Sequence, residues 1–249
     1  MDPAVHRAYF RFYAELNDHL PPTGQHQTLE KGFYVSGTVM DMIEGFGVPH
    51  TEVELVLANG ESVDFGYVVK DGDRIGVYPM FESIDITPEL RVRKEPLRDS
   101  KFVLDVHLGK LAAYLRMLGF DALYRSCFTD QELARISSEQ RRILLTRDRG
   151  LLKHASITHG YWLRNTDSRQ QAAEIVQRFD LSRRVRPFTR CMACNGQLHT
   201  VAKQDVLALV PQRAGELYNE FKRCPECGRV YWEGSHHERM VRFVQQLVA

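Results

Sequence analysis

Two cysteine pairs set the tightest limit on how this chain can fold. Cys191-Met-Ala-Cys194 and Cys224-Pro-Glu-Cys227 each place two residues between their sulfurs, with a glycine soon after. Knuckles of this kind draw four thiolates into one tetrahedral set, so segments far apart in sequence must meet around a metal ion. Four soft ligands close the coordination shell, which predicts structural zinc; an iron–sulfur cluster would use the same sulfurs, but the ribbon-like flanks QLHTVA and RVYW favour zinc. His236 and His237 are then surplus. The lone Cys127 is expected to be a small buried hydrophobe.

Four of five cysteines in such pairs suit a reducing compartment, and the mixed charges of the first thirty residues do not resemble a signal peptide, so a cytoplasmic protein is expected. A length of 249 residues with 43% hydrophobic and 26% charged side chains allows one large domain or two to three small ones. The formal net charge of +1 conceals a division. Residues 1–90 carry fifteen acids against five bases, and residues 91–249 seventeen acids against twenty-eight bases. The basic excess is the electrostatic footprint of a nucleic-acid binder, which the acidic part would repel.

Residues 1–82 read as short strands around one helix. YFRFYAEL alternates up to Pro21-Pro22, LEKGFYV is extended, and Ser36 and Thr38 cap a helix that Gly47 stops. VELVLANG, VDFGYVV and RIGVYP follow, separated by Asn59-Gly60 and KDGD turns. This order, with LANGESVDF and DGDRIGVYP, resembles the ubiquitin-like (β-grasp) sulfur carriers of thiamine and molybdopterin synthesis. Those carriers act through a free C-terminal Gly-Gly, whereas this chain continues through Phe81 and Glu82. A docking or regulatory module is therefore the better reading, tied on by a linker over 83–100.

From Lys101 strands alternate with helices, which predicts an α/β domain with a parallel sheet over 101–182. KFVLDV, DALY, RILLT and GYWLRN read as strands. A helix follows in HLGKLAAYLRMLGF, with Leu108, Leu111, Ala112, Leu115 and Leu118 on one face, another in QELARISSEQ with Asp130 as its N-cap, and a last from Ser168 to Phe179 announced by Asp167. Asp105, Asp148 and Asp167 follow strand ends, where parallel sheets place their ligands. A carboxylate directly after a buried strand is costly unless paired or bound to metal, so Asp105 and Asp148 are the central candidates for a magnesium or manganese site. Asp130 and Asp167 are candidates that could equally be helix caps, and Glu132 rivals Asp167. Lys110, Arg147 and Arg149 stand close enough in sequence to meet phosphate, while Arg116 is expected to be solvated helix surface.

The segments FVLDVHLGKLAAYLRMLGFDALY, DQEL and RILLTRDRGLL together resemble the PIN-like ribonuclease domain of the mutator-seven C-terminal family, over about residues 100–240 and including the cysteine knuckles. A ubiquitin-like unit fused in front is also similar to this whole chain. The resemblance implies a metal-dependent endoribonuclease, with Asp105, Asp130 and Asp148 carried over by motif position and Asp167 matching loosely. Residues 183–249 then hold a basic segment, the zinc ribbon and a C-terminal helix. In RRVRPFTR, Arg183, Arg184, Arg186 and Arg190 suit a single-stranded RNA path. Tyr231 and Trp232 are more readily ribbon core than stacking partners, and His236 and His237 are expected to face solvent or RNA. The competing reading is a non-catalytic RNA-binding adaptor whose N-terminal module recruits a protein partner.

Overall fold

The computed structural model describes residues 5–79 and 100–248, so the linker expected over 83–100 lies outside the described residues except for Ser100. The chain divides into two compact units, one drawn from 1–99 with 134–162, the other from 100–133 with 163–249. Among the described residues no helix is long and apolar enough to cross a membrane.

In the first unit, β1 (His6–Phe12), β2 (Thr28–Phe33), β3 (Val53–Ala58), β4 (Glu61–Val63) and β5 (Arg74–Pro79) form a sheet in the order β2-β1-β5-β3-β4. The outermost strands in sequence, β1 and β5, lie parallel, with Tyr9 opposite Arg74 and Phe12 opposite Val77; the other pairs are antiparallel. The period of two in HRAYFRF sends Ala8, Phe10 and Phe12 to one face, where each is at most 1% exposed. Helix α1 (Val39–Gly45) closes this core with Val39, Met42 and Ile43. Thr38 caps it as expected, its Oγ1 accepting from the Asp41 amide at 3.2 Å. This is the β-grasp arrangement. One expected strand is shorter than its sequence suggests: pairing ends at Val63, because Asp64 Oδ1 accepts from the Gly66 amide at 2.9 Å and folds VDFGYVV into a turn. Val68 rejoins only as an isolated bridge to Thr38.

The same unit contains a parallel pair, β8 (Ile143–Thr146) and β9 (Gly160–Trp162), with Leu144 opposite Gly160. The turn at His50–Glu52 fastens the N-terminal module to it. Thr51 Oγ1 donates to the Leu152 carbonyl at 3.2 Å, and the His50 ring lies 3.0 Å from the Ile157 carbonyl. Glu52 is buried, with one carboxylate oxygen accepting from the Trp162 amide at 2.6 Å and the other 3.0 Å from His19 Nε2. Gly160 leaves room at this contact, since a Cβ there would force the Leu152 side chain to shift and press on Thr51. A buried carboxylate is tolerable only with partners, and here they come from both sequence regions.

In the second unit, β6 (Lys101–Leu104) pairs in parallel with β7 (Asp121–Leu123). Phe102, Val103 and Leu104 are fully buried, as their unbroken apolar run requires. Helix α2 (Gly109–Met117) connects the two strands; α3 (Asp130–Glu139) has its first turn in this unit and its remainder in the other, and α4 (Ser168–Arg178) packs on α2. The C-terminal part contains β10 (His199–Val201), β11 (Phe221–Arg223) and β12 (Val230–Trp232), an antiparallel sheet in that order, with α5 (Gln212–Leu217) and a closing helix α6 (Ser235–Val248). Phe243 of α6 meets the Tyr114 ring of α2 at 5.1 Å and the Arg169 guanidinium of α4 at 5.3 Å. Cys127, expected to be buried, is exposed; it lies in the loop before α3, away from any strand that would carry it inward.

Candidate metal centre and the acidic strand ends

The two knuckles have the same local geometry. Backbone carbonyls of Cys191 and Cys224 accept from the amides of Asn195 and Gly228, and these two residues turn the chain with positive φ of 77° and 74°. Glycine supplies that conformation without cost in the second knuckle, and in the first asparagine does, the non-glycine residue best suited to it. The outcome is that the ligand atoms of Cys191, Cys194, Cys224 and Cys227 all lie within 4.8 Å of one another. The Cys191 and Cys227 sulfurs are 3.5 Å apart and those of Cys194 and Cys224 3.4 Å. A tetrahedron with zinc–sulfur bonds of about 2.3 Å has edges of roughly 3.8 Å, so the cluster fits zinc.

Protonation follows the crowding. Burial pushes the Cys191 thiol up, but the Tyr231 hydroxyl at 3.1 Å and nearby backbone amides outweigh it and bring the group down to about 7. Cys194 is pushed far above its ordinary value by burial and then by its neighbouring thiols. One thiolate forms readily and further ones repel it, which is the situation a divalent cation relieves.

The first knuckle is also bolted to the α/β core, by Arg116 and Asn195. Arg116 is not solvated surface: it is 3% exposed. Its Nε donates to the Ala122 carbonyl at 2.8 Å, and Nη1 to the Ala193 and Met192 carbonyls at 2.8 and 3.2 Å. Burial draws its pKa down, while Cys194, Cys191 and Asp121 pull the other way. Asn195 completes the clasp, with Nδ2 donating to Asp121 and Oδ1 accepting from the Ala122 amide. The available signal for Arg116 was its place four residues after Ala112, at the edge of the apolar stripe.

The acidic residues lie at the ends of their elements. Asp105 directly follows β6, half-buried, and its Oδ1 accepts from the Val106 amide at 2.6 Å. Asp148 lies two residues beyond β8, exposed, with Oδ1 accepting from the Gly150 amide at 2.7 Å. Asp130 is exposed in the first turn of α3 but does not cap it. Thr129 does: its Oγ1 accepts from the Glu132 amide, and the Glu132 carboxylate accepts from the Thr129 amide at 2.8 Å. This capping box also occupies Glu132, the rival for the acidic set. Asp167 caps α4, accepting from the Arg169 and Gln170 amides at 3.0 and 3.1 Å. Among the described residues, Asp105, Asp130 and Asp167 do not form a group as close as the four cysteines.

The candidate cations divide by exposure. Lys110, Arg147, Arg149, Arg183, Arg184 and Arg186 are exposed. Arg149 lies over the Trp162 ring at 4.9 Å, and Arg184 donates to Ser100 Oγ at 3.0 Å. Arg190 is half-buried and bonded to the Asn195 carbonyl at 2.8 Å, inside the first knuckle.

Comparison with known proteins gives two family matches. The model described as Mut7-C RNAse domain matches residues 100–244, and that described as Mut7-C ubiquitin matches residues 5–85. No curated protein and no solved structure matches the chain.

Proposed function

Because the chain belongs to the Mut7-C RNAse domain family, we propose that it is a metal-dependent ribonuclease acting on single-stranded RNA in the cytoplasm. The observation that carries this reading is the Mut7-C match over residues 100–244, which begins at β6 and includes Asp105, Asp130, Asp148 and the four cysteines. Asp105 and Asp148 are the principal ligands of magnesium or manganese, hard cations that prefer carboxylate oxygen. Backbone amides at Val106 and Gly150 orient one oxygen of each carboxylate. When bound, such a cation supplies an activated water and neutralises charge on the leaving oxygen.

Asp130, in the first turn of α3, supports this pair by holding a water or a metal; Asp167 is the fourth candidate, combined with its capping role. Lys110, Arg147 and Arg149 offset the phosphate charge, and Arg183, Arg184, Arg186 and Arg190 guide the strand toward the ribbon. The zinc ion holds the ribbon and takes no part in cleavage. The N-terminal module docks a protein partner. Three acidic side chains that are not gathered as closely as the cysteines favour a second reading, a non-catalytic RNA-binding adaptor.

Cleavage of end-labelled RNA with manganese, magnesium or neither separates the two. The nuclease reading expects metal-dependent cleavage that Asp105→Asn reduces by a hundredfold or more, on the order of 3 kcal/mol in the barrier. Cleavage that Asp105→Asn leaves unchanged would sink it.

A further inference from the structure

The zinc ribbon contains a cavity that cleavage itself does not need. It measures about 380 Å³, with Phe188 of the basic segment, Phe221 and Trp232 of the ribbon sheet, and His237 and Met240 of α6 among its walls. Five of the lining side chains carry flat rings: Phe188 and His237 lie 4.4 Å apart between centroids, Phe221 and Trp232 6.5 Å. Phe188 is held there against its own preference. Its φ is +57°, a conformation that bulky residues rarely adopt. Two bonds pin that backbone, the Phe188 amide donating to the Met117 carbonyl at 2.9 Å and Lys222 Nζ donating to the Phe188 carbonyl at 3.1 Å.

The polar lining narrows the occupant. Glu220 and Glu233 offer carboxylates that only accept hydrogen bonds, while Arg190 and Lys222 only donate. The exposed Arg186 stands two residues before Phe188. An aliphatic side chain or acyl tail would use the rings but neither the carboxylates nor the remaining donors of Arg190 and Lys222. A nucleotide uses all three, with a planar base for the rings, a base edge bearing amino donors for the glutamates, and a phosphate for the cations.

We propose that this cavity takes one unpaired nucleobase of an RNA strand, stacked against Phe188 and Trp232. The identity of the polymer rests on the ribonuclease reading; the pocket chemistry does not require that the chain cleave it. Bases carrying an exocyclic amino group are preferred, because the glutamates can accept from it.

The sequence has two tryptophans, so Trp162→Phe in the full-length, zinc-loaded chain makes Trp232 the only tryptophan, excited at a wavelength where tyrosine does not absorb. Without magnesium or manganese, GMP, AMP and CMP should quench it saturably, and ribose 5-phosphate should not. Phe188→Ala should weaken quenching about tenfold, within the range that stacking of one base contributes. If that variant loses zinc, His237→Ala tests the opposing wall, with a loss of the same sign. Unchanged emission with every nucleotide, equal titrations in the wall variants, or quenching by an apolar peptide instead would each overturn the assignment. A chain with Asp105→Asn that no longer cleaves yet still quenches separates this site from the catalytic one. Quenching with no cleavage by any variant would overturn the nuclease reading and leave the pocket standing.

Discussion

The N-terminal sheet and the C-terminal ribbon are both small antiparallel-rich structures, yet they are held by opposite means. Strands β1, β2, β3 and β5 run six or seven residues and enclose Phe10, Phe12, Ile43 and Ile75, each at most 1% exposed. Burying each such side chain contributes about 1.5–3 kcal/mol, enough for the module to hold by packing. Strands β10, β11 and β12 have three residues each, and Val230, Tyr231 and Trp232 are all only half-buried. Strands that short are weakly held by packing, so the ribbon is expected to depend on a metal gathered by its four cysteines. The difference teaches where failure would spread. Arg116 and Asn195 join the first knuckle to α2 and β7, so disorder in the ribbon reaches the helix that follows Asp105.

The sharpest way to break this comparison is to remove the zinc. Chelation, or Cys224→Ser, should strip protection from the amides of β10–β12 in hydrogen exchange and leave β1 and β5 protected. Structural zinc contributes on the order of 10–16 kcal/mol, far more than the ribbon's buried side chains can replace. A ribbon that keeps its protection without metal would show that the contrast is false.

The converse is a cavity in the packed module. Phe10→Ala should cost about 3–5 kcal/mol in urea denaturation while zinc content stays constant. Loss of zinc in that variant would mean the two regions are not independent.

A smaller effect tests the clasp between ribbon and core. Arg116→Ala leaves the buried Ala122 carbonyl and the less buried ones of Met192 and Ala193 without this donor, and should cost about 1–3 kcal/mol and speed zinc transfer to a chelator. Arg116→Lys should not restore it, because an ammonium cannot span three carbonyls as the guanidinium fork does. Zinc transfer at the original rate would assign Arg116 to the core alone.

The smallest effect separates a cap from a catalyst. Asp167→Ala should lower stability by about 1 kcal/mol, whereas Asp167→Asn keeps the capping acceptor and should be nearly neutral. If cleavage falls in the asparagine variant while the melting temperature holds, Asp167 belongs to the acidic site.

Sequence periodicity anticipated the elements whose signals are local. Alternation in HRAYFRF, the apolar run before Asp105 and the cysteine spacing each describe a neighbourhood that the chain builds by itself. What it missed depends on segments meeting from afar. Arg116 resembles any surface arginine on a helix until residues 192 and 193 cross above it, and Asn195 looks like an ordinary turn residue until β7 lies alongside. The cap of α3 was a different kind of miss, because Thr129 and Glu132 have the spacing of a capping box and Asp130 was simply the more conspicuous acid. The candidate acidic residues were legible only as residue types at strand ends, since no spacing along one chain measures the distance between carboxylates.

The buried Glu52, holding the Trp162 amide on one oxygen and facing His19 with the other, has a consequence for how the protein would withstand a cut. The module is fastened to β9 through side chains on its own surface as well as through the peptide that follows it. A protease nick between residues 82 and 99 should therefore leave the two fragments migrating together in gel filtration, and Glu52→Ala should let them part.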